Sequence, residues 1–438
     1  MKNILFIPES IQRLSIRGAI ATVTTLLSLV SPVVAPLSQA ALQDSPKAVV
    51  DEAWQLVNRD YVDGTFNQND WQEVREELLS QEYASLDDAY MALDEALERL
   101  DDPYTRFMTP SEFEALTNQT AGEFSGVGLR LKVDDVTRSL AVVDLLENSP
   151  AADAGLEPND IILEIEDQLT EGMTVRDAAQ LIRGETGTTV NLRIKRQNTS
   201  EFDVALVRQR LEVPAVFPSL RTEFDTKIGF IRLSEFTSHS AEQMQRAVMD
   251  LLDQGAEAFV LDLRGNPGGL LQASIDISRL WMSDGPIVQT LDRDGHSQEV
   301  AADHTALTDR PMAILVDGNS ASSSEILTGA LMDNNRAVVI GSQTFGKALV
   351  QAVHELSDGS GIAVTVAQYY TPNGTDISQH GITPNIEMDL TLAQRRRLSV
   401  QPQTRGTIAD PHYQQAATSL RPSILARRSN IDLGSNVR

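Results

Sequence analysis

The run Met312-Ala313-Ile314-Leu315-Val316-Asp317-Gly318-Asn319-Ser320-Ala321-Ser322-Ser323-Ser324-Glu325-Ile326-Leu327 decides how the C-terminal half of this chain is read. Its unbroken apolar start, Met312–Val316, is the pattern of a strand buried on both faces, as in a parallel sheet. Asp317-Gly318-Asn319 breaks the strand, and Ile326 begins the apolar face of a helix reaching Leu331. Ser322 and Glu325 have the spacing of a capping box. Serines at a helix start are most often only caps. The same geometry can also lift a serine hydroxyl above the sheet, and the free N–H groups of the first helical turn can then face a developing oxyanion.

Strands and helices alternate on either side of this run. Ile228–Leu233 reads as a strand, Ala241–Leu252 as a helix, Phe259–Leu263 as a buried strand, Leu270–Trp281 as a helix and Ala337–Ile340 as a strand. This rhythm over residues 209–390 predicts an α/β core with a mainly parallel sheet. Sites in such sheets lie beyond the C-terminal ends of strands. Two further strand ends stand out. Phe259–Leu263 runs into Arg264-Gly265-Asn266-Pro267-Gly268-Gly269, where Gly268 and Gly269 let the backbone approach a ligand. No Gly-Lys-Ser/Thr follows, which disfavours nucleotide phosphate, and a plain tight turn is the alternative.

The other strand end leads to Lys347, 25 residues after Ser322, beyond the turn Gly341–Gly346. A serine hydroxyl barely ionises at neutral pH and needs a base. Lysine can serve if burial lowers its pKa, and Phe345, Leu349 and Val350 are the apolar residues expected to provide that setting. A solvated turn lysine is the bland alternative. His354 and His380 are rival bases, but neither follows a strand end in a convincing turn.

Upstream, Val49, Val50, Ala53, Leu56 and Val57, and again Ala89, Leu93, Ala96, Leu97 and Leu100, recur at helical spacing. Asp101-Asp102-Pro103 closes the second helix, and Ser111 with Glu114 reads as a capping box for a third. This predicts a helical N-terminal domain over 45–121. Asp101 and Asp102 read as helix-end and turn residues, and Leu100–Phe107 receives no chemistry. Residues 122–208 change to short alternating runs, Leu129–Val133 and Val190–Ile194, a compact module of about 85 residues. Asp134-Asp135 reads as a solvated loop. The arginine-rich segment 391–438 has few periodic apolar positions outside Tyr413–Leu425, and reads as a mobile tail with one docked helix.

Composition narrows the function. A net charge of −26 over 438 residues argues against nucleic acid, which requires a basic face. The chain has no cysteine, and its scattered histidines lack the spacing of a metal site, so neither metal nor organic cofactor is expected. Lys2, Arg13 and Arg17 precede the uncharged stretch Gly18–Ala35, and Ser38-Gln39-Ala40 offers small residues at its exit. This pattern predicts a secretory signal over 1–40, with a membrane anchor as the alternative.

Taken together, Ser322-Ser323-Ser324-Glu325-Ile326, Phe345-Gly346-Lys347 with Gln351, and the Gly268-Gly269 turn resemble the C-terminal processing peptidases, or tail-specific proteases, over residues 50–390. Ser323 stands where that family commonly has Ala, and Ala348 where it commonly has Gly. The resemblance implies a multidomain α+β protein with a crotonase-like core and a Ser-Lys endopeptidase activity. In it Ser322 is the nucleophile, Lys347 the base, Gln351 the residue orienting the lysine, and the amides of Gly268 and Ser323 the oxyanion hole. The module 122–208 resembles a PDZ domain. Gly126-Val127-Gly128-Leu129 would then hold a peptide's C-terminal carboxylate, a strand would pair with the peptide, and Leu181 and Ile182 would line its side-chain pocket. The implied partners are exported proteins with free C-terminal tails in the periplasm or thylakoid lumen, the photosystem II reaction-centre precursor or quality-control substrates among them. A non-catalytic PDZ adaptor, a Ser–His enzyme and a small-molecule carrier are the competing functions.

Overall fold

The computed structural model describes residues 45–134, 137–197 and 199–435. The expected signal segment over 1–40 and Asp135 lie outside them. The chain forms two compact units. One combines the chain up to Leu116 with Val216–Phe236 and everything from Ala241 onward, and the other comprises Thr117–Ala215 with Thr237–Ser240.

Helices α1 (Pro46–Asp60), α2 (Trp71–Ser80) and α3 (Leu86–Glu98) start where Ser45, Asp70 and Ser85 side chains accept first-turn N–H groups. Their apolar faces merge into one cluster with Phe107, Ile362 and Val364. The helices therefore belong to the larger unit, where periodicity predicts a helical domain of its own over 45–121. They cover a sheet of the larger unit, because a three-helix stripe must bury its apolar face against something. Strand β1 (Arg106–Met108) follows. Helix α4 (Pro110–Ala121) is capped two residues earlier than Ser111 and Glu114 suggest: Glu112 Oε2 accepts the Thr109 N–H at 2.9 Å, and Pro110 takes the first helical position.

The second unit holds β2 (Glu123–Gly126), β3 (Leu129–Val133), β4 (Leu140–Leu145), α5 (Pro150–Asp153), β5 (Ile161–Ile165), β6 (Gln168–Leu169), α6 (Val175–Ile182), β7 (Thr189–Lys195), β8 (Phe202–Val207) and β9 (Gln209–Glu212). Val190, Leu192 and Ile194 alternate inward along β7, as a sheet with one wet face requires. The sheet order is β3-β4-β5-β7-β8, with β6 on β5, so β3 is an edge strand; β2 and β9 pair separately. The unit extends past the predicted 122–208 boundaries at both ends.

The larger unit continues with β10 (Val216–Glu223), β11 (Thr226–Leu233), α7 (Ser240–Asp253), β12 (Ala258–Asp262), α8 (Leu271–Trp281), β13 (Pro286–Asp292), β14 (Ser297–Ala301), β15 (Met312–Val316), α9 (Ser323–Asp333), β16 (Val338–Gly341), β17 (Leu349–Glu355), β18 (Gly361–Tyr370) and β19 (Ile386–Glu387). The main sheet runs β10-β11-β12-β15-β16-β19. It is parallel except for β10 against β11, as predicted. Strands β12 and β15 are buried throughout. A second, antiparallel sheet, β1-β18-β13-β14 with β17 on β18, is not evident in the sequence. Helices α10 (Leu392–Val400) and α11 (Pro411–Ser435) end the described chain. Tyr413, Ala416, Ala417, Leu420 and Ile424 of α11 pack against Ile228, Val260, Ala313 and Leu315. The docked helix expected around Tyr413–Leu425, within a segment otherwise expected to be mobile, thus lies on the main sheet. Among the described residues no helix is long and apolar enough to cross a membrane.

Candidate active site

Ser322 closes the turn between β15 and α9 with φ 54° and ψ −116°. Non-glycine residues occupy that region only where their surroundings enforce it. A serine strained on a sharp strand-to-helix turn is the geometry that exposes a nucleophilic hydroxyl. The neighbouring serines are committed elsewhere. Ser320 Oγ donates to Leu263 O at 2.9 Å, Ser323 Oγ to Gly269 O at 2.9 Å and Ser324 Oγ to Asn266 O at 3.0 Å. All three are buried, whereas Ser322 is half-exposed and, among the described residues, its hydroxyl donates to no carbonyl.

Glu325 ties this turn to the lysine loop. Its buried Oε2 accepts the Ser322 N–H at 2.9 Å and the Lys347 N–H at 3.0 Å. Oε1 accepts the Gly346 N–H at 2.7 Å and Thr344 Oγ1 at 2.5 Å. The main-chain nitrogens of Ser322 and Lys347 are therefore no farther apart than two hydrogen bonds laid end to end. Tyr369 Oη spans the same two residues, reaching the Ser322 carbonyl at 3.2 Å and the Lys347 carbonyl as well. Burial pushes the Glu325 carboxyl above its ordinary range, against its four donors.

Lys347 is half-buried, and burial lowers its pKa, with Asp102 opposing that shift and Arg106 assisting it. Its Nζ stands 4.4 Å from the centre of the Tyr104 ring. Phe345, expected to bury the lysine, is instead 55% exposed in the loop between β16 and β17.

The two residues expected to form an oxyanion hole are brought together, but one of their N–H groups is already engaged. Gly268 has φ 106°, and a Cβ there would lie 2.8 Å from Ala321 O, 2.9 Å from Ser322 Cβ and 3.1 Å from Ser323 N. Only glycine fits this close approach. Ser323 N–H, at the first position of α9, is one of the donors a helix leaves unpaired, and it has no partner among the described residues. The Gly268 N–H, in contrast, donates to Asn266 Oδ1 at 2.9 Å. Gln351, which the resemblance takes as the residue orienting the lysine, lies on strand β17 with its Nε2 3.4 Å from Thr365 Oγ1, so the step of four from Lys347 is extended chain. His354, the rival base, stands 3.4 Å from Asp60. Under the glycine turn, Arg264 bonds Asp262 at 2.8 Å and Asp410 at 2.7 Å, all three buried. The sequence reading missed Asn266, Tyr369, Tyr104 and Asp410; only Asn266, inside a strand-end turn, carried any local signal.

In the second unit Gly128 has φ 83°, and a Cβ there would meet Ser149 Cβ at 2.3 Å. Its carbonyl accepts the Leu146 N–H at 2.9 Å, and that of Val127 the Ala151 N–H at 3.0 Å. Gly126 ends β2, Val127 is buried, and Leu129 opens the edge strand β3. Among the described residues, one side of β3 has no strand partner. Ile182 belongs to the unit's core, so of the two proposed pocket residues only Leu181 is partly exposed. A cavity of about 200 Å³ lies beside Leu129, lined by Phe124, Arg130, Leu145, Val213 and Pro214 among others.

Comparison with known proteins agrees with both units. Residues 227–388 match the model of peptidase family S41, and residues 142–196 that of the PDZ domain. A carboxyl-terminal-processing protease from Synechocystis sp. is 40% identical over 367 residues, which cover 83% of this chain and 84% of the relative. Carboxyl-terminal-processing peptidase 3, chloroplastic, from Arabidopsis thaliana is 34% identical over 366 residues, covering 80% and 70%. The solved structure of a photosystem II D1 C-terminal processing protease superposes with a TM-score of 0.52 at 34% identity, covering 79% of this chain and 93% of that one. On this sequence similarity the chain belongs to peptidase family S41 as a PDZ-containing, serine-type, carboxyl-terminal-processing peptidase.

Proposed function

We propose that this peptidase captures the free C-terminus of exported proteins on its PDZ unit and cuts near that end through a Ser322–Lys347 acyl-enzyme. The observation carrying this reading is the Glu325 carboxylate, bonded at once to the Ser322 and Lys347 amides. Neutral Lys347 takes the Ser322 proton as Oγ attacks the scissile carbonyl. The oxyanion then faces the Ser323 N–H, and the Gly268 N–H once substrate draws it from Asn266. Each such donor contributes about 3–4 kcal/mol to the transition state. The lysinium returns its proton to the leaving amine nitrogen as the C–N bond breaks, and water hydrolyses the ester. Gln351 on β17 is proposed to orient Lys347; its contact with Thr365 uses Nε2 and not the acceptor Oε1.

Capture follows from the edge strand β3 and the Gly126–Leu129 loop, which suit strand addition by a peptide end. The signal-like N-terminus and the cyanobacterial and chloroplastic relatives favour the periplasm or thylakoid lumen. The name of the solved relative makes a photosystem II D1 precursor tail the first substrate to try. The test compares the C-termini of exported proteins with and without Ser322→Ala, and assays Lys347→Ala and His354→Ala on a tail peptide. Uncut precursors in the Ser322→Ala strain and an inactive Lys347→Ala enzyme are expected. Full activity in Lys347→Ala with loss in His354→Ala would sink the dyad. Equal cleavage of amidated and free-carboxyl tails would sink C-terminal capture.

A further inference from the structure

The turn Asp101–Thr105, to which the sequence assigns no chemistry, ends against the base. Asp102 shapes it: Oδ1 accepts the Tyr104 N–H at 3.0 Å and Oδ2 accepts Thr105 Oγ1 at 2.7 Å. Thr105 Oγ1 in turn accepts the Thr365 N–H at 3.0 Å, and β1 pairs with β18 directly afterwards. The turn is thereby bolted to the strand whose Tyr369 touches the Ser322 and Lys347 carbonyls. The result is a ring held with its centre 4.4 Å from Lys347 Nζ. We propose that Tyr104 is a positioning residue for the base, its ring face seating the Lys347 ammonium that forms when the amine takes the Ser322 proton.

This inference rests on the Ser322–Lys347 reading. The physical need is specific. Burial favours the neutral amine, which the first step requires, but that step creates a cation where water is scarce. An aromatic face attracts such a cation without presenting a proton-accepting oxygen that would compete for it. The charged groups facing Lys347 are Asp102, which favours the ammonium, and Arg106, which opposes it. Glu325, from α9, has both oxygens engaged by other donors. Burial, with the Asp102 and Glu325 carboxylates, pushes the Tyr104 hydroxyl above its ordinary range, so the ring stays neutral.

The test uses the full chain. The pH profile of kcat/KM on a tail peptide is measured for wild type, Tyr104→Leu, Tyr104→Phe and Lys347→Ala, with thermal melts to check folding. In the Ser322→Ala background, 13C-labelled lysine gives the Lys347 titration directly by NMR. Tyr104→Leu is expected to move the acid limb and the lysine titration down by about half to one pH unit, because the cation loses its seat. Tyr104→Phe should match wild type. Fluorinated phenylalanines at 104 keep the ring's shape while draining its face, and should lower the limb stepwise even if Tyr104→Leu misfolds. A flat fluorination series, an unmoved Tyr104→Leu titration, or a Tyr104→Phe shift as large as that of Tyr104→Leu would overturn the inference. Activity surviving Lys347→Ala would instead overturn the dyad itself.

Discussion

Glu325 accepts from four donors on two segments, and Ser322 keeps a backbone conformation that only such contacts maintain. Glu325→Gln preserves the shape but turns an amide N–H₂ toward an N–H donor. Activity on a tail peptide should fall by about a hundredfold, and chemical denaturation should show a loss of about 1–3 kcal/mol. Wild-type stability and activity in that variant would remove Glu325 from the site. The serines separate by the same logic. Ser323→Ala loses one bond to Gly269 O and should keep activity at a stability cost of about 1 kcal/mol, whereas Ser322→Ala should be inactive. The pH dependence follows from burial of Lys347. Its pKa is lowered, so the neutral base accumulates at lower pH than for a solvated lysine, and kcat/KM should rise through a limb lying below the ordinary lysine range. Lys347→Arg, which cannot deprotonate, should abolish that limb and the activity together.

At the scale of elements, the glycine turn after β12 and the helix start after β15 act as one part. Gly268→Ala would place a Cβ 2.9 Å from Ser322 Cβ at a φ of 106°, and should reduce kcat by at least about a hundredfold, read against an unchanged far-ultraviolet circular dichroism spectrum. A fully active variant would show that the turn does not touch the reacting centre. These strands were legible because β12 and β15 are apolar without interruption and end in turn residues. The position of Gln351 was not, since a step of four residues looks the same in a helix and a strand. The cap of α4 slid from Ser111 to Thr109 because both positions offer a hydroxyl three residues before a glutamate. The second sheet was hidden because its pairing joins Arg106 to Ala363 and Gln289 to Tyr370, partners that no local period connects.

Across the whole molecule, the larger unit is closed by its C-terminal segment. Arg264 holds Asp262 and Asp410 in a buried triad, and α11 covers the sheet from Tyr413 to Ile424. Asp410→Asn leaves a buried guanidinium short of a counter-charge and should destabilise the fold by about 3–5 kcal/mol in urea denaturation. Burial opposes ionisation of Asp262, but Arg264 outweighs it and holds that carboxyl below its ordinary range. Its stabilising contribution is therefore complete above the unfolded carboxylate pKa and is lost as pH falls through the lower folded value. Acid unfolding monitored with and without Asp262→Asn checks the sign. By itself the sequence determined where β11, β12, β15 and β16 lie along the chain, the turns that carry Ser322, Gly268 and Lys347, and the β-rich module upstream of them, because periodicity, caps and glycine turns are properties of a few consecutive residues. Only the tertiary structure decided which serine hydroxyl is uncommitted, which N–H is already taken, what ring faces the amine and where the last helix rests. Most of those outcomes depend on contacts between residues tens to hundreds of positions apart, whose geometry exists only once the chain has closed on itself.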